Sequence, residues 1–119
     1  MVENYTMKNT LKTLGILIGI ILIFSSCEKI DVPHGTPRCI IKKIRQEKDD
    51  ILDKVYKYDY HGEIVYEFCP PLYTPDGASY VYNASCDLIC SMGGYSGQGD
   101  GQCPDFGEQA TNQELIWSQ

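Results

Sequence analysis

The chain has 119 residues, a formal charge of −6 and six cysteines. That size fits one small domain plus a targeting segment. No Lys or Arg follows Lys57, whereas Asp59, Glu63, Glu67, Asp76, Asp87, Asp100, Asp105, Glu108 and Glu114 do; such a half repels nucleic acid and anionic headgroups, so nucleic-acid binding is excluded.

The N-terminus reads as an export signal. Lys8 and Lys12 form a short basic start, and Leu14 to Phe24 is an unbroken apolar run. The run is shorter than the roughly 20 residues a membrane-spanning helix needs, which favours a secretory signal over an uncleaved anchor. It ends in Phe24-Ser25-Ser26-Cys27, a pattern like a lipobox, with Phe24 where Leu is preferred. Residues 1–26 are therefore expected to be a lipoprotein signal peptide, and Cys27 the acylated mature N-terminus. The start is Met1 or Met7. Residues 27–36, polar and carrying Pro33 and Gly35, read as a tether.

Residues 37–119 make the domain. Thr36-Pro37 is a helix-start signal, with Thr36 as N-cap and Pro37 as first helical residue. Ile40, Ile44 and Ile51 fall on one stripe at helical spacing. The spacing predicts an amphipathic helix to about Asp53, and its basic cluster reads as the solvated face. Lys54 to Phe68 alternates like a hairpin. A three-residue loop Tyr60-His61-Gly62 sets Tyr58 against Ile64 and Tyr56 against Tyr66, an apolar face; a two-residue His61-Gly62 turn sets Tyr60 against Glu63. Pattern favours the former. A third strand is expected at Ser79 to Tyr82, a glycine-rich loop at Gly93 to Gly101 and a last strand at Glu114 to Trp117. The expected fold class is α+β: one N-terminal amphipathic helix packed on a small antiparallel sheet, with a disulfide-pinned glycine-rich loop.

Export places the five remaining cysteines in an oxidising compartment, so disulfides are expected. A helix of some 16 residues is roughly 24 Å long, and the hairpin should leave Cys69 at its far end from Cys39. A third strand should return Cys86 towards Cys39. The expected bonds are Cys39–Cys86 and Cys90–Cys103, with Cys69 free.

Pro37-Arg38-Cys39-Ile40, the Gly62 to Tyr66 strand, Cys86-Asp87-Leu88-Ile89-Cys90 and Gly93 to Phe106 (GGYSGQGDGQCPDF) occur in this order. Together they resemble a group of small lipoproteins of Gram-negative bacteria that share a domain of unknown function. The resemblance covers nearly the whole mature chain. Members often carry two adjacent cysteines after the second strand, where this chain has Cys69-Pro70. The resemblance implies an envelope lipoprotein, and the family has no assigned activity or catalytic residues to carry over.

The chemistry-bearing residues point to binding rather than catalysis. His34 lies in the tether and His61 in a turn, neither held beside a nucleophile. Cys86 and Cys90 lack a second pair at zinc spacing. The glycine loop lacks the cation of a phosphate cradle, and Asp100, Asp105 and Glu108 match no calcium loop. No cofactor or metal is expected. Tyr60, Tyr73 and Tyr95 fall in expected loops and are the candidate binding surface. The expected function is a non-enzymatic envelope lipoprotein that contacts the membrane through lipid on Cys27 and an envelope or extracellular partner through its domain, in the periplasm or on the cell surface. Two alternatives remain: a protease inhibitor, from the Kazal-like run Asp76 to Tyr80 with Asn83, Cys86 and Cys90, and a thiol-active protein using Cys69.

Overall fold

The computed structural model describes residues 29–119. The signal segment 1–26 and the lipidation candidate Cys27 lie outside the described residues. Seven elements follow in order: α1 (Arg38–Glu47), β1 (Lys54–Tyr60), β2 (Glu63–Cys69), β3 (Ala78–Asn83), β4 (Leu88–Gly93), α2 (Phe106–Gln109) and β5 (Thr111–Ser118). The strands form one antiparallel sheet in the order β4-β3-β2-β1-β5.

The fold is thus mostly a five-stranded antiparallel sheet with two short helices, which overturns the expected α+β class built on a long N-terminal amphipathic helix. α1 has ten residues instead of running from Pro37 to Asp53. Pro37 is its N-cap, with an extended ψ of 141° and no side-chain cap, while Thr36 Oγ1 donates to the Pro33 carbonyl at 2.7 Å. At the other end Lys48 to Ile51 form a turn. Asp49 and Asp50 are weak helix formers and sit where the helix dipole disfavours negative charge. Unwinding there swings Leu52 into the core at 3% exposed and leaves Ile51 at 55%, so Ile51 was wrongly assigned to the buried stripe. The sheet also extends beyond the expected strands: β4 forms at Leu88–Gly93, where no strand is expected, and β5 begins at Thr111 rather than Glu114.

One sheet face carries Ile40 and Ile44 of α1, both fully buried, packed with Leu52, Val55, Tyr66, Phe68 and Ile116. Ile30 belongs to this core and Val32 packs against it, so part of the segment read as a tether is built into the domain. Cys39 at the start of α1 is bonded to Cys86 beyond β3.

The hairpin departs from the expected register by one residue. His61 (φ 49°) and Gly62 (φ 79°) are both left-handed, the two-residue turn whose twist suits antiparallel strands. Tyr60 pairs with Glu63, Tyr58 with Val65 and Tyr56 with Glu67. Ile64 lies opposite Asp59 and is exposed. Pattern misled because the hairpin is covered on both faces, by α1 on one and α2 on the other, so polarity does not fix its register.

The second face is closed by the chain after β4. Cys90 is bonded to Cys103, and both pack with Tyr60, Val65, Val81 and Phe106 of α2. Between them the glycine-rich loop folds back on β4. Asp100 N–H donates to the Ser91 carbonyl at 3.2 Å, and Ser91 N–H donates to Asp100 Oδ2 at 3.0 Å. Gly99 (φ 62°) passes so close that a Cβ there would overlap the Ser91 carbonyl; only glycine combines this conformation with this approach.

Candidate binding surface

Two loops meet at the end of the sheet where β2 and β4 finish. Pro70, Pro71 and Pro75 stiffen the first, which closes through Thr74 N–H to Pro71 O at 3.0 Å and Gly77 N–H to Thr74 O at 3.2 Å. The second, starting at Gly93, is tied to it by Gly94 N–H donating to Gly77 O at 3.2 Å. From this joined base project Leu72 at 94% exposed, Tyr73 at 87% and Tyr95 at 91%. Large apolar side chains this exposed, on a base held by backbone bonds, are what a contact surface requires. Sequence reading located Tyr73 and Tyr95; Leu72 was missed, although Pro-Pro-Leu-Tyr-Thr-Pro already forbids a strand that would bury it.

Tyr60 does not belong with them. It is the last residue of β1, 6% exposed, and its ring packs against Phe106 with centroids 5.1 Å apart. Its phenol donates to Asp105 Oδ1 at 2.5 Å, and His61 Nε2 meets Asp105 Oδ2 at 2.7 Å. The bond to Asp105, then burial, pushes the Tyr60 phenol up to about 12. Tyr60, with His61 on the other oxygen, holds the Asp105 carboxyl below the ordinary range despite opposing desolvation. This group latches α2 to the hairpin tip. It offers His61 an orienting carboxylate, but the described hydrogen bonds give the ring no Ser or Cys nucleophile.

Beside the exposed loops runs a groove of about 330 Å³ whose walls include Glu67, Cys69, Pro70, Leu72, Ser79 and Met92. Cys69 is the one free cysteine among the described residues. Burial, then the Glu67 carboxylate, pushes its thiol up to about 12, so at neutral pH it is a protonated, weak nucleophile. Glu67 also lines a second opening of about 420 Å³ with Tyr58, Phe106, Thr111 and Gln113. Burial and the same carboxylate raise the Tyr58 phenol, which accepts from Gln113 Nε2 at 2.8 Å.

The remaining candidates are accounted for by internal contacts. Asp100 is bonded to the Ser91 and Gln102 N–H groups and Asp105 to Tyr60 and His61, so both carboxylates are engaged within the fold. Among the described residues no group of three or more His, Cys, Asp and Glu is placed to hold a metal ion, and no helix is long and apolar enough to cross a membrane. The Kazal-like run is not an exposed loop: Tyr80 to Asn83 is a strand paired on both sides, and the turn after it is pinned by Asn83 Oδ1, which accepts from Ser85 and Asp87 N–H.

Neither a curated protein nor a solved structure matches the chain. A family model does, over residues 42–119. The match begins inside α1 and takes in all five strands, the Cys90–Cys103 loop, the latch and both exposed loops. On that coverage the chain belongs to the family described as a domain of unknown function, DUF6970.

Proposed function

We propose that this is a lipid-anchored protein of the bacterial cell envelope, acylated on Cys27 after removal of residues 1–26, whose domain works by binding. The binding surface is the loop end bearing Leu72, Tyr73 and Tyr95. The observation that carries this reading is the exposure of those three side chains on two loops bonded to each other. The basic start, apolar run and Ser25-Ser26-Cys27 support the anchor. The protonated thiol of Cys69 weighs against a thiol-active role, and the strand at Tyr80 to Asn83 weighs against an inhibitory loop. The partner is an envelope or extracellular molecule with an apolar patch, matching the exposed Leu72, Tyr73 and Tyr95 side chains.

Chemical cross-linking in cells tests the surface. Wild-type protein and a Leu72→Ser, Tyr73→Ser, Tyr95→Ser triple variant are compared at equal abundance. A cross-linked species present with wild type and lost from the variant supports the reading; the same species in equal amount from both refutes it. Detergent partition and the mass of the N-terminal peptide test the anchor, which is wrong if Cys27→Ser is still cleaved at the same place and released soluble.

A further inference from the structure

The cations of the domain are divided into two sets by their partners. Lys43 is paired with Glu47 at 3.2 Å, Lys48 with Asp49 at 3.7 Å, Lys54 with Asp53 at 3.6 Å and Lys57 with Glu114 at 3.0 Å. Arg38, Lys42 and Arg45 are exposed and have no carboxylate partner among the described residues. At 3.6 residues per turn these three fall on one line along α1. The line is opposite Ile40 and Ile44 and so points away from the sheet. Lys29, also exposed, precedes the same side of the core through Ile30. A helix face with three aligned, unneutralised cations stands against a chain half that has no cation at all.

The place of Ile30 limits where this face can go. Ile30 is buried in the core beneath α1. Only Glu28 and Lys29 lie between it and Cys27, and three steps along the chain reach at most about 11 Å. That is about the diameter of one helix with its side chains. A lipid on Cys27 therefore brings the bilayer to the domain's surface, and one side of the domain must meet it.

We propose that the α1 face bearing Arg38, Lys42 and Arg45 rests on the anionic headgroups of the membrane that holds the lipid anchor. This rests on the acylation of Cys27 read above. Charge selects the face: headgroup phosphates attract the unpaired stripe and repel the carboxylate-rich half from Asp59 onward. With α1 down, Lys42 acts as a point contact for phosphate while Arg38 and Arg45 offer forked donors on either side.

The test uses the mature, full-length protein inserted into the outer leaflet of preformed vesicles, either phosphatidylcholine alone or with roughly one-third phosphatidylglycerol. An impermeant amine reagent is added, and labelling of each lysine is followed by peptide mass spectrometry. Lys42 is the reporter, because Lys29 lies too near the anchor to discriminate. Lys42 should label about fivefold more slowly on anionic than on neutral vesicles, and the difference should vanish in high salt. Reversal of the flanking charges (Arg38→Glu, Arg45→Glu), with Lys42 kept as reporter, should remove the difference in Lys42 labelling between anionic and neutral vesicles. Equal labelling of Lys42 on both vesicles, with Cys27 carrying its lipid mass, overturns the face assignment and leaves the anchor standing. Protection of Lys42 in whole cells but not on vesicles assigns the stripe to another partner and overturns the proposal too. An N-terminal peptide without lipid overturns the anchor and this inference with it.

Discussion

The Tyr60 phenol donates to Asp105 Oδ1 at 2.5 Å, joining residues 45 positions apart. Through this bond the hairpin tip holds the start of α2, and the pH dependence of both partners follows. Asp105 has its carboxyl lowered in the folded state, so its contribution is present above the ordinary carboxylate range and is lost as pH falls through the folded value. Tyr60 is raised from 10.0 to about 12, so its contribution is complete below pH 10 and is lost as pH rises towards 12. Tyr60→Phe should lower the neutral-pH Tm by about 5 °C and flatten both limbs. Thermal melts across the pH range check this; a variant as stable as wild type at every pH would show that the bond contributes nothing.

Cys69 should be nearly inert in the native protein. With its thiol pushed up to about 12, the thiolate fraction at pH 8 is roughly three orders of magnitude below that of a free cysteine. Alkylation should be correspondingly slow until denaturant is added. A time course of labelling at constant pH decides it, and rapid modification of Cys69 in the folded state would contradict the assigned environment.

Gly97 and Gly99 are both left-handed, at φ 72° and 62°, but only Gly99 runs against the Ser91 backbone. Gly97→Ala should cost about 1 kcal/mol, the ordinary penalty of that conformation. Gly99→Ala should cost 1 to 2 kcal/mol more, roughly, because the loop must lift off β4. Paired urea titrations give the difference; equal costs would mean that Gly99 matters only for its backbone angle.

The two disulfides close loops of different length, 47 residues for Cys39–Cys86 and 13 for Cys90–Cys103. On chain entropy alone, replacing both cysteines by Ala should cost about 4 kcal/mol for the first pair and about 3 for the second. Unfolding of the two double variants ranks them. If the Cys90/Cys103 variant proves the weaker, the short loop contributes through packing of its second-face core as well as through closure.

How far these features could be read in advance depended on whether the deciding physics was local. The breaks were legible, because Pro70, Pro71, Pro75 and the glycines after Met92 prevent regular structure by their own geometry. Tyr73 and Tyr95 were legible as exposed for the same reason. The end of α1 was less so: helical periodicity runs on through Ile51 and Leu52, and the place of Leu52 in the core joins the local effect of Asp49 and Asp50 in ending the helix at Glu47. Nor was the environment of Tyr60, since its partner Asp105 arrives on a loop that closes over the sheet. Hairpin register failed on the same ground. The pattern gives Tyr58 an apolar residue on the strand opposite, when its cover comes from Phe106 of α2.

Asp100 has a consequence for how the protein behaves among its own copies. An outer strand offers unpaired N–H and C=O groups that any passing extended chain can adopt as a template. On β4 those of Ser91 are occupied: Asp100 receives its N–H and donates to its carbonyl, while Gly99 N–H takes the carbonyl of Gly93 at 2.9 Å. The loop thus stands in for a sixth strand without offering a further edge of its own, because its glycines bend away immediately. Sheet-to-sheet growth is closed off on that side at Ser91 and Gly93.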